Sequence, residues 1–127
     1  MQGDLARLRL GYHLLVGQIL RKLRQDSKKT QTAMASCMGV TQSTLSRIER
    51  GISAPTPFHV RVAAQSCGTE PAELILEIER ALHMLQVLSA KLMQLLGASQ
   101  VSAPSVPAIR ALAIAVAQEM AVKRKGP

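Results

Sequence analysis

The chain has 127 residues, enough for one domain with a short appendage, and 47% of them are hydrophobic, so a substantial core is expected. Only 2% are aromatic, namely Tyr12 and Phe58, which argues against proteins that stack single-stranded bases on aromatic platforms. A formal net charge of +8 favours a polyanionic partner.

The first predicted helix covers about residues 5–25, with Asp4 as its N-cap. Gly11 and Gly17 interrupt this helix, and each is expected to weaken it by about 1 kcal/mol relative to alanine. The helix is predicted from apolar residues that recur at helical spacing, namely Leu5, Leu8, Tyr12, Leu15, Ile19, Leu20 and Leu23.

Two short helices follow, with a tight turn between them. The second runs over about residues 31–38 with Thr30 as its cap, and the third over about residues 42–49 with Thr41 as its cap. Gly39 lies between them and is suited to the left-handed backbone of a sharp turn. The pattern therefore predicts a pair of helices held at a fixed angle.

Three further helices complete the prediction. Thr56 caps a fourth helix that reaches about Ser66. The fifth, over about residues 70–97, is the longest, and the sixth is an amphipathic helix over residues 108–122. The glycine, serine and proline content of residues 97–107 indicates a linker. The chain is therefore expected to be all-α.

The fifth helix carries an apolar seam that alternates spacings of four and three over three heptads. Such a seam is typical either of a core helix lying on its own domain or of a helix that pairs with a second chain. We expect both, with the first turns closing the domain and the later turns meeting a second copy. The residues assigned to the dimer interface are Leu74, Ile78, Leu85, Leu88, Leu92 and Leu95.

The basic residues are unevenly distributed. Residues 1–69 carry ten basic and three acidic side chains, residues 70–103 carry two and four, and residues 104–127 carry four and one. The three regions therefore have net charges of +7, −2 and +3. This distribution predicts that the first region meets a polyanion and the second meets protein.

The segment TQTAMASCMGVTQSTLSRIERG, residues 30–51, combines an apolar face with a polar one. The spacing predicts a dry face between its two helices, formed by Met34, Ala35, Met38, Val40, Leu45 and Ile48. A DNA major groove admits one helix with polar side chains at its N-terminal end, where Gln pairs with adenine and Arg with guanine. The outward residues that meet this requirement are Gln42, Ser43, Thr44, Ser46 and Arg47.

About residues 17–75 resemble the lambda-repressor and Cro-like helix-turn-helix family, also called the XRE family. The residues that carry the resemblance are Thr30-Gln31, Ala35, Gly39-Val40-Thr41 and Ser46-Arg47-Ile48-Glu49-Arg50-Gly51, with Leu23-Arg24 and Pro55 on the flanks. The chain departs from the family at Met34, Met38 and Ser66-Cys67, where leucines are common.

The resemblance implies a five-helix DNA-binding domain, here with a long fifth helix and a C-terminal helical extension. It places the DNA-binding domain in residues 1–69, with the motif at 31–49, and leaves residues 70–127 as C-terminal helices for dimerisation. It does not explain why the first helix extends before Gly17, nor the role of the residues after Ile75.

The resemblance also implies roles for individual side chains. Arg24 and Glu49 would form an ion pair joining the first and third helices, and Gln31 would brace Gln42. The base contacts would come from Gln42, Ser43, Thr44 and Arg47, although Arg47 suits a phosphate equally well. The phosphate contacts would come from Gln31, Thr30, Lys28, Lys29, Ser46, Arg50 and Ser53. For the two lysines, a solvated charged loop is the alternative.

The implied function is a sequence-specific, double-stranded DNA-binding transcriptional regulator, expected to act as a repressor. It would bind a palindromic operator as a homodimer through residues 42–49. The alternative is an antitoxin or an adaptor that binds another protein through the helical surface of residues 74–122. We expect a cytoplasmic, nucleoid-associated protein without a membrane segment.

Catalytic and metal chemistry are not indicated by the sequence. Cys37 and Cys67 stand apart, without a CxxC pair or a histidine at ligand spacing, so neither a disulfide nor a metal site is expected. No nucleophile motif, phosphate-binding loop or carboxylate pair is present, so the chain is expected to be neither an enzyme nor a cofactor-binding protein.

Overall fold

The computed structural model describes the backbone of residues 2–95 and 106–124 and the side chains of residues 9–92, 94–95 and 107–122. Within these ranges there are six helices and no strand, which confirms the all-α prediction. The helices are α1 (Gln2–Asp26), α2 (Gln31–Met38), α3 (Gln42–Glu49), α4 (Pro57–Ser66), α5 (Pro71–Leu95) and α6 (Val106–Arg124). The predicted linker lies outside the described residues as far as residue 105, and its last two residues belong to α6.

The short helices begin where the sequence supplies a capping side chain. Thr30, Thr41 and Thr56 have extended backbones, and each hydroxyl accepts a hydrogen bond from the N–H three residues later. At α4 the ring of His59 also accepts a hydrogen bond from the Thr56 N–H at 3.2 Å, which completes a capping box. Gly39 ends α2 in the left-handed conformation, with φ of 72°. Local chemistry therefore fixes the bounds of these helices.

A single hydrophobic core runs through the fold. Helix α1 lies at its centre and contacts α3, α4, α5 and α6. Helix α6 packs back against α1 and α5, so the described helices from α1 to α6 share one core. The side chains that α6 contributes to this core are Ile109, Ala113, Val116, Ala117 and Met120.

Two glycines of α1 permit close helix packing. A Cβ at Gly11 would lie 3.3 Å from Cδ2 of Leu85 and 3.7 Å from Cγ2 of Ile109, so α5 and α6 both approach α1 here. A Cβ at Gly17 would overlap the carbonyl oxygen of Ile48, at the end of α3. Helix α6 therefore packs against α1 at Gly11, before Gly17, which gives this part of the helical extension a structural role.

The first half of the α5 seam belongs to the core of its own chain. Leu74, Ile78 and Leu85 are at most 5% exposed, so these three side chains pack in the core of their own chain, and the predicted contact between copies is left to the later part of the seam. Leu88 is 37% exposed and Leu95 is 84% exposed, while Leu92 is half-buried. The seam therefore changes from core to surface after Leu85.

Tyr12 provides a spectroscopic test of the packing between α1 and α5. Partial burial, and secondly the charge of Glu79, raise the pKa of the Tyr12 phenol above its ordinary value of 10.0. The fold thus favours the neutral phenol, and this contribution to stability is present below pH 10.0 and lost as the pH rises through the raised pKa.

We expect an absorbance titration of the folded protein to place the Tyr12 midpoint above 10.0. The chain has one tyrosine and no tryptophan, so the signal is unambiguous. Glu79→Gln should lower the midpoint only in part, because burial is the larger cause. A midpoint at or below the ordinary value would contradict the partial burial of Tyr12 beside the charge of Glu79.

Candidate nucleic-acid interface

Helices α2 and α3 pack through the apolar face that the sequence predicts. Met34, Ala35, Met38, Leu45 and Ile48 are buried, and Val40 is partly buried against the same core. The N–H of Val40 donates to the carbonyl of Ala35 at 3.0 Å and closes the turn that carries Gly39. The angle between the two helices is therefore fixed by a packed core and a hydrogen-bonded turn.

The opposite face of α3 is polar and open to solvent. Gln42, Ser43 and Arg47 are exposed, and Thr44 and Ser46 are half-buried. The Thr44 hydroxyl accepts a hydrogen bond from the hydroxyl of the cap Thr41 at 2.9 Å, so it is oriented toward the start of the helix. This row of side chains begins at the N-terminus of α3, the end that a helix presents to base edges.

Glu49 joins α1, α2 and α3. It is 3% exposed and accepts hydrogen bonds on both carboxylate oxygens. Arg24 donates from Nε to Oε2 at 2.7 Å and from Nη2 to Oε1 at 3.0 Å, a bidentate pair between α1 and α3. Gln31 of α2 donates from Nε2 to Oε1 at 3.0 Å. The buried charge is thus paired and hydrogen-bonded by two other helices.

The same network reaches the exposed start of α3. The Oε1 atom of Gln31 accepts a hydrogen bond from Nε2 of Gln42 at 2.7 Å. This leaves the Gln42 carbonyl oxygen and the second hydrogen on Nε2 directed away from Gln31. Those are the acceptor and the donor that a bidentate contact with adenine requires.

The loop between α1 and α2 is tied to this network as well. Nη1 of Arg24 donates to the carbonyl of Lys29 at 2.9 Å. Lys28 is exposed and has a φ of 57°, a left-handed backbone that costs a non-glycine residue on the order of 1–2 kcal/mol. One arginine therefore positions both the loop that carries the two lysines and the end of α3.

The remaining residues predicted to contact phosphate lie around the ends of α2 and α3. The Thr30 hydroxyl is exposed but already accepts the N–H of Ala33. Arg50 is exposed and its Nε donates to the Ser46 carbonyl at 3.3 Å. The N–H of Ser53 donates to the carbonyl of Arg47 at 3.3 Å, so only the half-buried Ser53 side chain remains for a ligand.

Two of the residues at which the chain departs from the family pattern, Met34 and Ser66, lie against each other. The Ser66 hydroxyl is 3.4 Å from the sulfur of Met34 and donates to the Ala63 carbonyl at 2.9 Å. A flexible thioether fills space that a branched side chain would fill less easily beside a polar group. Helix α4 is therefore joined to α2 through this pair at positions where leucines are common.

Two contributors were missed by the sequence analysis. Gln18 of α1 donates to the carbonyl of Glu49 at 3.5 Å, and His59 completes the α4 capping box. Gln18 gave no signal, because its partner is a backbone carbonyl 31 residues away. His59 occupies the position where a capping box usually carries Glu or Gln. Its spacing from the predicted cap Thr56 could therefore have indicated its role.

Cysteine and metal chemistry do not enter the described site. Cys37 is exposed and Cys67 is partly buried, and both thiols are free. Among the described residues, no group of three or more His, Cys, Asp and Glu is placed to hold a metal ion. The described helices also include none that is long and apolar enough to cross a membrane.

A short helix that displays polar side chains, fixed at an angle by a second helix and braced by a third, defines a helix-turn-helix DNA-binding protein. Residues 15–75 match the family model described as a helix-turn-helix domain, which confirms the resemblance to helix-turn-helix proteins. This match covers a little under half of the chain, and the chain therefore contains a helix-turn-helix domain in that range.

One solved structure shows the same fold over a larger part of the chain. It is the clp gene regulator ClgR from Corynebacterium glutamicum, with 24% sequence identity and a TM-score of 0.58. The similarity covers 70% of this chain and 94% of the ClgR chain, so it extends beyond residues 15–75. No curated protein matches the sequence.

Proposed function

We propose that this protein is a sequence-specific regulator of transcription that reads double-stranded DNA with α3. The observation that carries the proposal is the chain of hydrogen bonds from Glu49 through Gln31 to Gln42. A glutamine amide on a solvated helix ordinarily samples many rotamers. Here it is held at the N-terminus of α3, so little side-chain entropy remains to be lost on binding a base.

Direct readout is assigned to Gln42, Ser43, Thr44 and Arg47. Gln42 is suited to adenine, and the exposed guanidinium of Arg47 is suited to guanine or to a phosphate. The half-buried Thr44 presents a hydroxyl and a methyl group of the kinds that meet base edges and thymine methyls. The specificity would thus come from side chains within the first turn and a half of α3.

A frame of phosphate contacts is proposed around α3. Lys28, Lys29 and Arg50 supply cations, and Gln31, Thr30, Ser46 and Ser53 supply polar groups or nearby backbone. The left-handed backbone at Lys28 is the C-cap of α1, with the N–H groups of Lys28 and Lys29 donating to the carbonyls of Gln25 and Arg24, and it fixes the point at which the exposed Lys28 side chain leaves the chain. Each phosphate neutralised adds about 0.9 to the log–log slope of affinity against salt.

A homodimer on a palindromic operator is proposed, with repression as the mode of action. Two-fold symmetry places two copies of α3 in successive major grooves, about 34 Å apart. The exposed end of the α5 seam, Leu88, Leu92 and Leu95, is the proposed contact between copies. Such a protein would work in the cytoplasm, on the nucleoid.

The test is a pull-down of genomic DNA fragments with the purified protein at about 150 mM salt, followed by sequencing. We expect a short motif with two-fold symmetry that the double variant Gln42→Ala/Arg47→Ala fails to enrich. Gln42→Ala alone should cost about 1–3 kcal/mol at one base position and little at the others. An asymmetric motif would support sequence reading by α3 and exclude the symmetric dimer.

Enrichment without a motif, unchanged in the double variant, would contradict the proposal. The polar face of α3 would then be a solvated surface, and the adaptor or antitoxin function of residues 74–122 would be favoured. Equal weakening on every sequence would assign Gln42 to phosphate contact rather than base readout.

A further inference from the structure

The hydroxyl groups at the start of α3 form a chain of hydrogen bonds with one direction. Oγ1 of Thr41 accepts the N–H of Thr44 at 3.2 Å and donates its own hydrogen to Oγ1 of Thr44 at 2.9 Å. A hydroxyl has a single hydrogen, so the contact of Thr41 with Oγ of Ser43 at 3.4 Å requires Ser43 as the donor. The chain therefore runs from Ser43 through Thr41 to Thr44.

Capping of a helix does not require this second hydroxyl. The caps of α2 and α4, Thr30 and Thr56, also accept the N–H of the residue three positions later. Those residues are Ala33 and His59, and neither has a hydroxyl. Of the three helices capped by threonine, α3 is thus the one in which the cap also holds a hydroxyl of the helix.

The hydrogen bond from Thr41 decides what the Thr44 side chain can offer to a ligand. A threonine hydroxyl can donate one hydrogen bond and accept two. Thr41 occupies one lone pair of Thr44, and within the described part of the chain no group accepts the hydrogen of Thr44. Accepting a hydrogen bond also polarises a hydroxyl and strengthens it as a donor. Thr44 is therefore prepared to donate.

We propose that Thr41 is a positioning residue for DNA reading, because its hydroxyl makes Thr44 a hydrogen-bond donor to an acceptor atom of the duplex. The inference rests on the proposed function, in which Thr44 meets base edges. In the major groove guanine, adenine and thymine present acceptors, whereas cytosine presents an amino group that donates. The surface of α3 thus disfavours cytosine as the base that Thr44 contacts. A phosphate oxygen is the other acceptor that duplex DNA offers.

Thr41→Asp reverses the direction of the bond and keeps the cap. An aspartate oxygen accepts the Thr44 N–H at least as well as a threonine hydroxyl does. A carboxylate has no hydrogen to donate, so the Thr44 hydroxyl donates to it and keeps only lone pairs for DNA. Thr41→Ser retains the hydroxyl and should behave as the parent. Thr56→Asp is the matched control, since it places the same charge at a threonine cap without a second hydroxyl.

The experiment measures the affinity of the full chain for the duplex selected by the pull-down, for duplexes with each base pair of the motif replaced in turn, and for a random duplex. Thr44→Val removes the hydroxyl at similar volume and identifies the position that Thr44 contacts. At that position we expect Thr41→Asp, like Thr44→Val, to lower the preference for the selected base about 3- to 10-fold. Thr56→Asp should weaken binding to all duplexes through its charge and leave the preference unchanged.

The source of the acceptor follows from where the loss occurs. A loss of preference at one base position assigns the acceptor to a base edge, and an equal loss on all duplexes assigns it to a phosphate oxygen. In both cases Thr41→Asp should cost less affinity when it is added to Thr44→Val than when it is added to the parent, because the hydroxyl that it reverses is absent. Equal costs would overturn the inference and leave Thr41 as a helix cap.

Failure of the inference is distinguishable from failure of the proposed function. A parent protein without preference for the selected duplex over the random one would overturn both. A parent that reads the motif, with Thr44→Val binding every duplex as tightly as the parent, would overturn the inference and leave the reading by Gln42 intact. Circular dichroism and urea denaturation verify that each variant is folded, and Thr41→Asp should unfold at the urea concentration of the parent because its cap is kept.

Discussion

Gly17→Ala is expected to destabilise the protein by about 2 kcal/mol or more, although helix propensity alone predicts a gain of about 1 kcal/mol. A Cβ at this position would overlap the carbonyl oxygen of Ile48 and lie 2.9 Å from that of Glu49. Both are backbone atoms at the end of α3, so the overlap is relieved only by moving one helix away from the other. That movement would also strain the pairing of Glu49 with α1.

Urea denaturation followed by circular dichroism measures this effect, and Gly11→Ala is the matched control. A Cβ at Gly11 would lie 3.3 Å from Cδ2 of Leu85, the end of a flexible side chain. We therefore expect Gly11→Ala to change the free energy of unfolding by less than about 1 kcal/mol. If Gly17→Ala proved as stable as the parent, the close crossing of α1 and α3 would be incorrect.

These two glycines show what the sequence could not predict about the fold. Helical periodicity predicted the six helices and threonine caps predicted the starts of α2, α3 and α4, because both are local properties that a single sequence displays. The predicted cap of α1 was wrong, since Asp4 lies inside a helix that begins at Gln2. The packing of α6 against α1 is not local, and Gly11, at which α6 approaches α1, was interpreted together with Gly17 only as a weakness of α1. Which half of the α5 seam is buried also depended on tertiary packing, since α5 contacts α1, α4 and α6.

The candidate site was more accessible to sequence analysis than the fold. Residue types at fixed spacing identified the apolar face between α2 and α3 and the outward polar side chains of α3. The resemblance implied the pairing of Arg24 with Glu49 and the support of Gln42 by Gln31. Neither the spacing nor the resemblance predicted the hydrogen bond from Arg24 to the Lys29 carbonyl or the left-handed backbone at Lys28. Those features depend on the path of the loop backbone, which no side-chain pattern encodes.

The ion pair of Arg24 with Glu49 is expected to contribute differently to stability and to DNA reading. Glu49→Ala leaves a guanidinium only 12% exposed without its partner, and should cost about 3 kcal/mol. The double variant Arg24→Met/Glu49→Leu removes both charges and fills similar volume, so it should recover most of that loss. Urea denaturation of the parent, the single variant and the double variant tests this pattern.

The double variant should regain stability without regaining the sequence selectivity of DNA binding. Both variants remove the carboxylate that holds Gln31, so the hydrogen bond from Gln42 to Gln31 would no longer fix the amide at the start of α3. We expect both to bind random and selected duplexes with a smaller difference in affinity than the parent. The double variant has the net charge of the parent, so it excludes a change in electrostatic attraction as the cause. A double variant that is stable and fully selective would contradict this role of the network, since selectivity would then survive without it.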